Sequence, residues 1–234
     1  MSTFAGIPAE GLFLLMQNRF EDSKEFYDAH KARLKQLVLE PVGQIVEDLA
    51  PEIAALDSDI VVAPSRIVSR LRRDTRFSKD KTCYRSNVWF CFTRPRVEYP
   101  HIWPLFWFEF KPEESIWSAG VGLWDSPPAY MRFMKERMLA QPGDFLAAAA
   151  ETTAAGAELH TEAYKKNRAP EDTPEALVHY FNAKSFFFMA ASSDMEQLQS
   201  PELIDKLQAY YAGFHAMYQW LRQCAEDYIS VTES

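Results

Sequence analysis

At 234 residues, 47% hydrophobic and 14% aromatic, the chain can bury one sizeable core and is expected to fold as a single domain over residues 1–234. Its formal net charge of -8 argues against a sequence-independent nucleic-acid binder, which needs a broad basic face, so nucleic acid is not the expected partner. Cys83, Cys91 and Cys224 show no C-x-x-C spacing, the amino terminus has no signal-peptide pattern and no stretch reaches membrane-spanning length, so a soluble cytoplasmic protein is expected.

Residues 8 to 55 read as helical. Pro8 suits a first turn, and Asp22 with Glu25 resembles a capping box. Pro41 predicts a break near Glu40 and a fresh helix through Val42, Ile45, Val46 and Leu49, with Pro51 and Pro64 bracketing its exit. Three short aromatic runs follow, Asn87 to Thr93, Leu105 to Lys111 and Ser115 to Leu123, separated by Pro95, Pro100, Pro104 and Pro112. They read as antiparallel strands. Period two puts Val88, Phe90 and Phe92 on one face, as it does Phe106, Phe108 and Phe110, and leaves Asn87, Trp89, Trp107, Glu109 and Lys111 opposite. Ser118, Gly120 and Gly122 fall on one face of the third strand, which implies either a bulge or room above the sheet.

Beyond the strands, helices are expected from Ser126–Pro128 through Met138 and from Pro142 to near Gly156, and Thr173 with Pro174 opens another. The stretch 157–173 is irregular with one short strand, and Ser185 to Ala191 reads as a buried strand. Ser200 and Pro201 open a final helix, in which Leu203, Leu207, Tyr210, Phe214, Met217, Leu221 and Cys224 recur at three- and four-residue steps. The expected fold is α+β: an aromatic, mostly antiparallel sheet packed against helices, with an N-terminal helical pair and a long C-terminal helix.

The segment RLRRDTRFSKDKTCYRSN, residues 70 to 87, holds seven of the 25 Lys and Arg but two of the 33 Asp and Glu. Arginine predominates, and its planar fork suits bidentate capture of phosphate or carboxylate. Phe77 and Tyr84 interleave with the charges, which places the segment against the protein body. Ser78 and Lys81 spell S-x-x-K without the accompanying motifs of a serine nucleophile, so Ser78 reads as capping a local turn. Cys83 beside Lys81 and Arg85 reads as a small half-buried thiol. None of the five histidines has ligand spacing, which indicates no metal centre, and the glycines form no phosphate loop. No cofactor is indicated; a carboxylate-bound Mg²⁺ held together with a ligand stays open.

This segment resembles the domain of unknown function 2461 family of bacteria and fungi. The family motif has the form R-x-x-R-D-x-R-F-S-x-D-K-x-P-Y-K-x-N, met here by Arg70, Arg73, Asp74, Arg76, Phe77, Ser78, Asp80, Lys81, Tyr84 and Asn87. Cys83 stands where the family has proline, and Arg85 where it has lysine. The resemblance extends to "FYDAHKARL" and "GVGLWDSPP", implies an α+β domain, and marks the motif without assigning a reaction.

Three alternative functions are expected of it, the first of them foremost. The first is a binding or catalytic pocket for a small anionic ligand, with Arg70, Arg73, Arg76, Lys81 and Arg85 as anion-binding residues. Ser78, Trp89, Trp107, Gly120 and Gly122 would line it, and Asp74, Asp80 and Tyr84 are the candidates for proton transfer. The second is a non-enzymatic structural or interaction module in which the motif is an internal salt-bridge network. Single-stranded nucleic-acid contact through Arg and exposed Trp is a third, weaker reading.

Overall fold

A computed structural model describes residues 3–95 and 101–233. Helix α1 (Ala9–Glu21) starts behind Pro8 and ends at Asp22, which turns into the left-handed region at φ 42°. Helix α2 (Lys24–Leu34) is capped by Ser23, whose Oγ accepts from the Phe26 N–H at 3.0 Å. The cap is therefore Ser23 and not Asp22. Asp22 already closes α1, and its carboxylate is free to act elsewhere.

Pro41 does not break the chain as expected. A π-helical turn (Lys35–Leu39), closed by the Glu40 N–H on the Lys35 carbonyl, leads directly into α3 (Glu40–Leu56). The wider turn accommodates a proline that cannot donate to the Leu37 carbonyl four residues back. That carbonyl lies against Gly11 of α1, where a Cβ would stand 2.6 Å from it. Gly11 thus lets the two helices approach. Pro51 lies inside α3, near its end, and Val42, Ile45, Val46, Leu49 and Ile53 form the stripe that α3 buries. A single turn, α4 (Pro64–Ile67), then leads into the basic segment.

The strands are β1 (Val88–Phe92), β2 (Leu105–Lys111), β3 (Ile116–Leu123), β4 (Glu158–Leu159) and β5 (Phe186–Ser192). They form one antiparallel sheet in the order β1-β2-β3-β5-β4, with Glu158 opposite Met189. The period-two reading holds: Val88, Phe90, Phe92, Phe106, Phe108 and Phe110 are fully buried, and Trp89, Trp107, Glu109 and Lys111 are half-buried. The turn expected at Pro100 lies outside the described residues.

Strand β3 departs from expectation. Ser118, Gly120 and Gly122 are all buried, and a Cβ on Gly122 would stand 2.2 Å from the Phe186 carbonyl oxygen and 2.8 Å from Phe187 Cα of β5. The glycine lets two backbones close together. It opens no room above the sheet.

The remaining helices are α5 (Pro128–Ala140), α6 (Pro142–Ala154), α7 (Glu175–Phe181) and α8 (Leu203–Thr232). Gly156, at φ 97°, closes α6 as its spacing predicts. On α8 the expected stripe is buried except for Tyr210, which is half-buried, and Tyr211, Tyr218 and Trp220 widen it. No helix among the described residues is long and apolar enough to cross a membrane.

The chain divides into two compact units, each discontinuous in sequence. The first comprises Met1–Phe92, Trp107–Ala119 and Ala191–Gln208. Its core packs Phe90 edge-on against Phe92 and tilted against Phe108, and Phe108 tilted against Phe110 and Trp117. The second comprises Thr93–Phe106, Gly120–Ala190 and Ala209–Ser234. There Phe106 stacks on Tyr218 at 4.7 Å, and Phe145 packs edge-on against Tyr180 and Trp220. Each such ring, taken from water, contributes on the order of 2 kcal/mol.

Candidate functional site

The basic segment folds as a hairpin within the first unit. Val68 lies opposite Phe90 and Arg72 opposite Tyr84. The ladder between them consists of Ser69 N–H to the Trp89 carbonyl at 2.8 Å, Arg85 N–H to Leu71 at 2.8 Å and Arg73 N–H to Cys83 at 2.7 Å. Leu71 and Tyr84, each 2% exposed, anchor it to the core, and Tyr84 stacks on Tyr27 of α2 at 4.8 Å. Burial pushes the Tyr84 hydroxyl above its ordinary pKa. Of the two aromatic residues expected to hold the segment down, only Tyr84 does so. Phe77, at the turn of the tip, is 95% exposed.

Two Asx-type turns shape the tip. Asp74 Oδ1 accepts from the Arg76 N–H at 3.1 Å, and Asp80 Oδ1 from the Thr82 N–H at 3.0 Å. Each aspartate also takes a guanidinium. Arg76 grips Asp74 through Nε at 3.0 Å and Nη2 at 2.6 Å, and Arg73 Nη1 donates to both Asp80 and Thr82. Arg73 Nη2 lies 3.4 Å from Ser78 Oγ. The bonds to Arg76 hold the Asp74 carboxyl below the usual range; the Thr82 N–H, then Arg73, hold that of Asp80 well below it. Lys81 Nζ donates to the Thr75 carbonyl at 2.9 Å, not to Ser78.

The hairpin is fastened from outside by Asp22. One oxygen, Oδ1, accepts from the backbone N–H groups of Cys83 at 2.7 Å and Tyr84 at 3.0 Å. A cysteine at 83 has the N–H that a proline there would lack. Asp22 sits where α1 turns into α2, so this carboxylate fixes the hairpin to the helices.

The five expected anion-binding residues are therefore separated in role. Arg73 and Arg76 each hold a carboxylate of the tip, and Lys81 closes a turn. Arg70 is exposed. Arg85 is half-buried, and among the described residues its guanidinium has no hydrogen-bond or ion-pair partner. Desolvation, then the field of Arg73, lowers its pKa, with Glu109 acting in the opposite sense. Glu109 itself accepts from Asn87 Nδ2 at 2.5 Å and lies 3.7 Å from Lys111 Nζ. Trp89 is half-buried, its backbone N–H donating to Ser69 Oγ at 3.1 Å; Trp107 is half-buried on β2. Gly120 and Gly122 belong to the second unit and are covered.

Sequence reasoning missed Asp22, Thr82 and Glu109. The D-x-T spacing after Asp80 signals an Asx turn and would have found Thr82. Nothing local marks Asp22, which acts on a segment about sixty residues further along. Among the described residues, no three His, Cys, Asp or Glu side chains are grouped to hold a metal ion.

Fold and site together define an α+β protein carrying a basic hairpin locked by carboxylates. The chain belongs to the family described as conserved hypothetical protein DUF2461, whose model matches residues 12–220. No curated protein and no solved structure matches it.

Proposed function

We propose that the hairpin of residues 70–87 is a non-enzymatic structural and interaction module whose ion pairs are internal. One observation carries this reading: Arg73 and Arg76 turn onto Asp80 and Asp74 of the same tip instead of converging on an open cavity. The lock holds the tip in one shape and presents Phe77, with Arg76 Cζ 5.8 Å from its ring and the exposed Lys79 nearby, as a contact point for a partner.

The test is a double-mutant cycle on Arg73→Ala and Asp80→Ala, read by urea unfolding. The reading expects the double variant to be destabilised by clearly less than the sum of the two single variants. Simple additivity would overturn it. The same pairs predict a pH effect. Both aspartates titrate lower in the fold than in the unfolded chain, so their stabilisation is present above the unfolded value, near pH 4, and fades as pH falls through the folded values. Asp80→Asn should therefore flatten the acid limb of stability against pH.

Arg85 favours a second reading, in which a small phosphate- or carboxylate-bearing ligand binds beside Arg73. A guanidinium partly withdrawn from water next to a second arginine gains from an anion. Phosphate should then raise Tm of the wild type above a chloride control of equal ionic strength, and Arg85→Gln should remove at least half of that rise. An equal rise in both proteins would exclude Arg85.

A further inference from the structure

A second cationic cluster lies in the second unit, on residues that the basic hairpin does not include. Lys135 of α5 is buried, 8% exposed, and donates from Nζ to the Ala183 carbonyl at 2.7 Å. That carbonyl follows the carboxyl end of α7. Two of the three ammonium donors remain. Around them stand aromatic rings: Nζ is 5.2 Å from the Tyr164 centroid and 5.7 Å from that of Phe181, both half-buried.

Arg168 lies against the same Tyr164 ring, with Cζ 3.8 Å from its centroid. Its side chain is exposed, while its backbone is fixed by its N–H on Asn182 Oδ1 at 2.8 Å. Among the described residues neither Lys135 nor Arg168 pairs with a carboxylate. Burial, and then the charge of Arg168, push the Lys135 ammonium down to about 8. Glu162, next to the bridge between Ala163 and Ala183, is taken by Lys184 at 2.8 Å.

Two cations on one aromatic ring, one of them buried and both without a counter-charge, form an arrangement that a bound anion would relieve. We propose that Lys135 and Arg168 form an oxyanion-binding site, the ammonium supplying a buried, oriented donor and the guanidinium an exposed fork. The ligand class is a small phosphate or carboxylate group. Tyr164 is the ring both cations share, and Phe181 flanks the ammonium alone.

The test is an NMR titration of the lysine side-chain signals of the full chain with inorganic phosphate, and separately with acetate, against sodium chloride of equal ionic strength. Saturable shifts of the Lys135 signals with phosphate or acetate, absent with chloride, are the expected result; which of the two acts tells phosphate from carboxylate recognition. Arg168→Gln, at an exposed position, should weaken the apparent affinity at least fivefold, and Arg85→Gln should leave it unchanged. Lys135 signals that move only with ionic strength, or move as strongly in Arg168→Gln, would overturn the proposal. If Arg85→Gln instead abolished the shifts, the anion would belong to the basic hairpin.

Discussion

Replacing Asp22 by alanine is expected to cost about 2–4 kcal/mol of unfolding free energy, because it strips a shared carboxylate acceptor from two backbone donors at once. The Cys83 and Tyr84 N–H groups flank a side chain that is 2% exposed, so water replaces the carboxylate poorly. Two further substitutions separate the causes. Asp22→Asn keeps an oxygen in place but removes the charge, and should lose less than the alanine variant. Asp22→Gly relieves the left-handed backbone at φ 42° yet lacks the acceptor, so it should remain destabilised. Urea midpoints, with faster amide exchange at residues 83 and 84, check the ordering. An alanine variant as stable as wild type would remove Asp22 from the lock and, with it, the physical link between the helices and the hairpin.

Gly122→Ala is expected to be the more damaging of two otherwise identical substitutions. Its Cβ would meet the Phe186 carbonyl oxygen at 2.2 Å and Phe187 Cα at 2.8 Å, and both are backbone atoms that cannot rotate away. Strands β3 and β5 would have to separate, at a cost of about 3 kcal/mol and a Tm lower by roughly 6–12 °C. Gly143→Ala is the control. No atom stands within 4 Å of a Cβ at that position, which lies in the first turn of α6, so alanine should be neutral or stabilising by up to about 1 kcal/mol. Equal Tm values for the two variants would show that the sheet tolerates the extra methyl, and the small-residue face of β3 would then be open after all.

Much of the fold is legible in the residues because it depends on periodicity. The alternation Val88, Phe90, Phe92 and Phe106, Phe108, Phe110 defines the buried face of two strands, and the three- and four-residue recurrence from Leu203 to Cys224 defines α8. Gly156 ends α6 at φ 97°, a backbone conformation that residues with a side chain rarely adopt without strain. Where structure and expectation part, the deciding atoms come from elsewhere in the chain. Pro41 reads as a break, yet a π-helical turn absorbs it while Gly11 of another helix makes room for the Leu37 carbonyl. Asp22 reads as a cap, yet Ser23 beside it takes that role.

The same division holds for the candidate site. The amino-acid sequence by itself determined that positive charge is concentrated in residues 70 to 87, that arginines alternate there with aspartates, and that the segment leads into an aromatic sheet. Composition and local spacing suffice for those statements. Only the tertiary structure decided which cation meets which carboxylate: Arg73 with Asp80, Arg76 with Asp74, and Arg85 with none among the described residues. It also decided that Asp22 fastens the hairpin, that Tyr84 is buried while Phe77 is bare, and that Lys135 and Arg168 share one ring. The reason is physical. Ion pairs and hydrogen bonds act over a few ångströms in space, and a linear order fixes such distances only where the partners are a turn apart.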